Sequence, residues 1–214
     1  MRALITQRQV TDKYGVPCDM LESLYPLYFR ELDTDVVPVS NFVLPDDDAL
    51  DGVDFLILTG GGDVPHRFYY GNGTPDQQPQ RDIVEERLFR TAMEKNVKVL
   101  GICRGMQFIN GISGGKVSTL NALSVARPVG KNHTVLMRGE EFTVNNFHND
   151  GVYRKDLAEN LEILAEDREN DVVEAFVARN ILGLQWHPER FGDDSPAKER
   201  TKRIIIGFLK GEKL

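Results

Sequence analysis

Short apolar runs punctuate the first half of the chain. They cover residues 2–6, Thr34–Pro38, Val53–Leu58 and Val97–Ile102. Runs of this length between polar or glycine-rich stretches predict buried β-strands. Between them, apolar positions recur at helical spacing. Residues 18–32 predict one helix, with Pro26 as a kink or break. Asp82–Lys95 predicts another, with Ile83, Leu88, Ala92 and Met93 broadly on one side. Asp46–Leu50 reads as the start of a short helix with acidic residues near its N-terminus, and Met106–Ile112 as a further helix. Asn72–Gln80, polar and rich in Gly, Pro and Gln, predicts a surface loop.

Strands that alternate with helices imply a parallel sheet covered on both faces, with ligands at the carboxyl ends of the strands. From Gly114 the pattern changes. Turns and short strands run to Val144, and Leu161–Ala165, Val172–Val177 and Ile181–Leu184 read as three more strands, partly antiparallel. Pro196–Leu209 reads as a last helix that buries Ile204, Ile205 and Ile206. No internal repeat or interdomain linker interrupts the pattern, so one α/β domain over residues 1–214 is expected.

The strongest chemical signal lies where the fourth apolar run ends. Gly101-Ile102-Cys103-Arg104-Gly105 passes straight into a helical pattern, the layout of a nucleophile elbow. The two glycines keep bulk away from the bend. The helix behind Cys103 points free N–H groups and its positive end at the sulfur. On this stretch alone, a buried core cysteine fits equally well. A cysteine nucleophile needs a base and a group to orient it. His187-Pro188-Glu189 follows an apolar strand and offers both. Pro188 keeps His187 out of the α region, and residues two apart in extended backbone point the same way. Acyl transfer also needs oxyanion donors. The amide of Arg104 and one from Gly60-Gly61-Gly62 are the candidates. His148 sits in an Asn/Asp-rich loop that reads equally as solvated, and His66 and His133 read as structural or surface residues.

Composition narrows the field. With 214 residues, 41% of them hydrophobic, the chain can build a core without disulfide staples. Its two cysteines, Cys18 and Cys103, suggest no disulfide framework, so a reducing, cytoplasmic setting is expected. The N-terminal apolar run is too short for a signal peptide, and no run approaches the ~18 residues of a membrane span. A net charge of −7 argues against nucleic acid as the main partner. The four histidines are scattered and neither cysteine has a partner at zinc-ligand spacing, so no metal site is read. No dinucleotide or P-loop fingerprint occurs.

Three motifs now stand in order: Gly60-Gly61-Gly62-Asp63, GICRGMQ at 101–107 and QWHPE at 185–189. Together they resemble class I glutamine amidotransferase domains. The likeness is closer to the γ-glutamyl hydrolase branch, which shares Arg81-Asp82-Ile83-Val84-Glu85, Asn110 and Gly114-Gly115. The resemblance implies a flavodoxin-like three-layer sandwich, with a central mostly parallel sheet and an antiparallel extension. It implies Cys103 as nucleophile, His187 as base and Glu189 as its orienter, with oxyanion amides from Gly61 and Arg104. Gln107 would help hold the glutamyl α-amino and α-carboxylate groups, with His148, Asn146 and Gly62 on the substrate side.

The activity so implied is hydrolysis of a γ-glutamyl amide to glutamate through a glutamyl-thioester, without a cofactor. The partner is a small molecule such as γ-glutamyl-GABA, a folyl-polyglutamate or γ-glutamyl-CDP-amidate. The alternatives are a glutaminase subunit that hands ammonia to a partner synthetase, or a non-catalytic binding protein on the same fold. A homodimer is a further expectation, since such folds often pair. Two stretches depart from the branch: Asp63-Val64-Pro65-His66 after the glycines, and Lys116–Asn121 after Gly114-Gly115. Both flank the expected pocket. Lys116, Ser118, Thr119 and Arg127 are candidate donors to a substrate phosphate.

Overall fold

The computed structural model describes residues 1–70, 76–120 and 129–214. In chain order it begins with β1 (Arg2–Ile5), β2 (Arg8–Thr11), β3 (Pro17–Met20), α1 (Leu24–Arg30), β4 (Asp35–Pro38) and β5 (Phe55–Leu58). There follow α2 (Pro79–Glu94), β6 (Lys98–Ile102), α3 (Arg104–Ile112), β7 (Ser118–Thr119), β8 (Asn132–Met137) and β9 (Glu140–Asn145). The remainder is β10 (Asp150–Tyr153), β11 (Glu162–Asp167), β12 (Val172–Ala178), β13 (Ile181–Leu184) and α4 (Pro196–Lys210).

The central sheet runs β4-β1-β5-β6-β13-β12-β11-β8-β9. Pairing is parallel from β4 through β13. It is antiparallel from β13 outward to β9. The parallel strands, counted along the chain, lie in the order 2-1-3-4-5, that of flavodoxin-like sheets. The order reverses between β1 and β5, and that crevice is where ligands bind in such folds.

Strand alternation builds two cores. Ala3, Ile5, Phe55, Ile57, Leu100 and Ile102 face one side, against Tyr25 and Phe29 of α1 and Ile204, Ile205 and Phe208 of α4. Leu4, Leu56, Leu58 and Val99 face the other, against Leu88 and Phe89 of α2 and Met106 and Ile109 of α3. The sheet is thus covered on both faces, as its apolar strands require.

Three expectations need correction. Residues 18–20 of the expected 18–32 helix instead belong to β3, which pairs with β2 in a hairpin. Its turn is made by Asp12, whose Oδ1 accepts the N–H groups of Tyr14 (2.8 Å) and Val16 (2.9 Å). Pro26 falls in the first turn of α1, where a missing N–H breaks no helical bond. The 46–50 segment makes isolated turns, such as Asp51 N–H to Asp48 O at 2.8 Å, that do not propagate into a helix. On α2, Ile83 is 56% exposed whereas Arg81 and Glu85 are fully buried. That helix packs a charged face inward, which hydrophobic spacing does not reveal. Two smaller points concern the predicted loop and the last helix. Residues 71–75 of the loop lie outside the described residues. Ile206 on α4 is only partly buried.

Candidate active site

Cys103 stands between β6 and α3 with φ 53° and ψ −106°, a left-handed region that costs a non-glycine residue of order 1–3 kcal/mol. The chain is held there from both sides. Cys103 N–H donates to Leu184 O at 2.7 Å, and Gln107 N–H donates to Cys103 O at 3.1 Å. A Cβ on Gly105 would lie 2.1 Å from Leu58 O, so only glycine lets α3 start this close to β5. The elbow is therefore forced by close packing of strand and helix.

His187 reaches Cys103 from the end of β13. Its Nδ1 lies 2.6 Å from Glu189 Oε1, which accepts the proton and leaves Nε2 for the sulfur. Both side chains are buried. Asn145 clamps the His187 backbone from β9: its Oδ1 accepts His187 N–H at 2.9 Å and its Nδ2 donates to His187 O at 2.8 Å. Burial opposes charge on the imidazole, but the charge and hydrogen bond of Cys103, then those of Glu189, outweigh it. The net effect raises the His187 pKa to about 10. The arrangement suits a protonated imidazole beside the Cys103 sulfur, oriented by a carboxylate.

A Cβ on Gly60 would sit 2.6 Å from His187 Cε1 and 3.4 Å from Cys103 Cβ, so the glycine loop closes directly over this pair. Gly60 N–H donates to Tyr25 Oη at 2.9 Å. Burial first, then the charge of Glu189, raises the Tyr25 pKa well above its usual value.

Beneath the loop lies a sealed ionic cluster. Arg81 donates to the carbonyls of Thr59 (2.6 Å), Gly60 (3.2 Å) and Gly61 (2.7 Å), and through Nε to Glu85 (2.8 Å). Arg104 pairs with Glu85 and Asp82 and donates to Asp63 O at 3.0 Å. Arg81, Glu85 and Arg104 are inaccessible to water. A trans peptide puts each carbonyl opposite the following N–H. With the Gly60 and Gly61 carbonyls turned down onto Arg81, the N–H groups of Gly61 and Gly62 point away from it, toward the cavity they line.

That cavity, of about 390 Å³, is lined by Gly61, Gly62, Cys103, Gln107, His148 and His187 among others. Gln107 donates to Asp150 O at 2.8 Å and to Gln185 Oε1 at 3.2 Å. His148 Nδ1 lies 2.8 Å from Asp150 O, so Nδ1 carries its proton. Asn146 does not line the cavity; it is buried beneath the loop and its Oδ1 accepts His148 N–H at 3.3 Å. The Arg104 side chain is likewise taken up by the ionic cluster, so only its main chain lies at the elbow.

The candidate phosphate donors are placed elsewhere. Lys116 lines a separate cavity with Ser113 and Tyr70, and donates to Arg67 O at 2.9 Å. Ser118 and Thr119 form β7, which pairs with β10. None of the three lines the Cys103 cavity. Arg127 lies outside the described residues. His133 is no bare surface residue, since it lies 3.2 Å from buried Glu174. Among the described residues, the cations that line the cavity are Arg8 and Arg190. Sequence reading missed them, with Tyr25 and Asn145. Arg8 was findable: it follows directly on the carboxyl end of β1, at the reversal of strand order. Among the described residues, no group of three or more His, Cys, Asp and Glu is placed to hold a metal ion.

The family model for Peptidase C26 matches residues 36–189, which takes in the glycine loop, the elbow and the His187–Glu189 segment. The chain belongs to the Peptidase C26 family. Among similar chains is the γ-glutamyl-CDP-amidate hydrolase of Campylobacter jejuni, 34% identical over 63% of this chain and 62% of its own. Another is the γ-glutamyl-γ-aminobutyrate hydrolase of Escherichia coli O157:H7, 27% identical over 65% of this chain and 64% of its own. This C26 chain thus spans just under two thirds of the length of these relatives. A glutamine amidotransferase of Thermotoga maritima shares the fold, with TM-score 0.61 and 17% identity over 96% of this chain and 81% of its own.

Proposed function

We propose that this protein hydrolyses a γ-glutamyl amide of a small molecule, with Cys103 as nucleophile, His187 as acid and base, and Glu189 as orienter. One observation carries the reading: a strained elbow cysteine that shares its cavity with a buried histidine, itself held by a carboxylate. The family membership and the two γ-glutamyl hydrolases among its relatives support it.

In the first half, Cys103 Sγ bonds to the side-chain carbonyl carbon and the π electrons move to oxygen. The amides of Gly61 and Arg104 receive that oxyanion. As it collapses, the C–N bond breaks and the amine leaves with the His187 proton. In the second half, water gives a proton to His187 and attacks the thioester carbonyl. The C–S bond then breaks, releasing glutamate and restoring the thiolate. Gln107, His148 and Gly62 hold the glutamyl end, with Asn146 bracing His148.

The test is glutamate release by the purified protein from glutamine, γ-glutamyl-GABA, a γ-glutamyl polyglutamate and γ-glutamyl-CDP-amidate. Release from a non-glutamine amide, abolished in C103A, is expected. Turnover by C103A equal to the parent would sink the mechanism.

A further inference from the structure

Among the described residues, Arg8 and Arg190 line the cavity, and they are held differently. Arg190 donates to Glu22 at 2.6 Å and its guanidinium stacks on Phe147, 4.7 Å from the ring centre. Arg8 lies across Gly61: a Cβ there would meet Arg8 Cδ at 2.9 Å, and Gly61 already has φ +84°. Arg8 Nη2 donates to Asp76 Oδ2 at 2.6 Å, while its Nε is buried with no partner. Nε and Nη2 form the side-on fork with which arginine takes two oxygens of a carboxylate or phosphate. Here that fork is half filled. A buried donor without an acceptor is unfavourable, and an anionic ligand oxygen satisfies it.

Position decides which end of the substrate is met. Along the sheet, β1 and β5 lie to one side of β6, and β13 and β12 to the other. Arg8 follows β1. His148 precedes β10, which pairs with β12. Arg8 and His148, the far edge of the proposed glutamyl subsite, therefore flank Cys103 from opposite sides, with Arg8 at the reversal crevice. We infer that Arg8 is a specificity-determining residue that binds an anionic group, carboxylate or phosphate, on the leaving amine of the substrate. This rests on the γ-glutamyl reading above. Asp76 holds the arginine. Its pair with Arg8 is 36% and 47% exposed, weak enough for a substrate anion to displace it.

The test compares kcat/KM for three γ-glutamyl amides of similar length: one ending in carboxylate, one in phosphate, one in methyl. The parent protein is expected to favour the anionic pair. R8M should cut that preference about 10- to 100-fold, chiefly through KM, and R8K should restore part of it. Whichever anion loses more in R8M is the better-matched leaving group. D76N frees the fork and should lower KM for the anionic amides, an effect in the opposite direction that also serves if R8M folds poorly. Equal losses on all three amides in R8M, with no gain in D76N, overturn the assignment and leave the γ-glutamyl reading standing. No glutamate from any amide with the parent protein overturns both.

Discussion

Arginine–carboxylate pairs flank the candidate active site twice, in opposite settings. Under the glycine loop, Arg81, Glu85 and Arg104 are sealed from water, and every arm of the two guanidinium groups has a named partner. At the cavity, Arg8–Asp76 and Arg190–Glu22 are partly exposed, each pair joined by one hydrogen bond, with Arg190 also 3.9 Å from Glu189. The same chemistry serves two ends. Sealed charges cannot exchange partners, so they fix the backbone they hold, here three successive carbonyls of the glycine loop. Solvated pairs are nearly neutral in energy, so they can trade a carboxylate of the protein for an anion of the substrate.

The largest effect should come from opening the sealed set. R81M leaves Glu85 only Arg104 and Thr6 as partners and removes the donor to Thr59, Gly60 and Gly61. A loss of about 3–5 kcal/mol in urea unfolding is expected, and parental stability would end the distinction between the two sets. The His187–Glu189 pair belongs with the buried group and can be separated from it by pH. Its histidine pKa is raised from about 6.5 to about 10. The folded state therefore holds the proton more tightly, and the pair's contribution is complete below pH ~6.5 and lost as pH climbs through about 10. The stability gap between the parent and H187Q should shrink across that window. A gap that stays constant, or widens, contradicts the assignment. The alkaline limb of kcat/KM should also fall near pH 10, since His187 must carry a proton to the leaving amine. The smallest effect belongs to the rim: E22Q should cost less than about 1 kcal/mol, and a larger thermal-unfolding loss would mean that the mouth pairs are structural too.

The parallel half of the fold was legible because its strands are buried on both faces and read as plain apolar runs. Phe55–Leu58 and Lys98–Ile102 lie within one or two residues of the expected bounds. The glycine loop, elbow and His187–Glu189 segment were visible for the same reason, since each ends such a run. Other features were not. Arg8-Gln9-Val10-Thr11 has no apolar face to betray β2, and Asp12 makes its turn through a side-chain oxygen. The inward face of α2 is ionic, so Arg81 and Glu85 were visible only as a family motif. Asn145 stood one residue before Asn146, and only the pairing of β8 with β9 shows which of the two reaches His187.

The most direct test of the central claim is peptide-level mass spectrometry after treatment with an electrophilic glutamine analogue. The account predicts one adduct, on the Cys103 peptide, with Cys18 unmodified and labelling slowed by a γ-glutamyl substrate. Adduct on Cys18 alone, or a Cys103 that labels no faster than free cysteine, would contradict Cys103 as a nucleophile in a glutamyl-binding site.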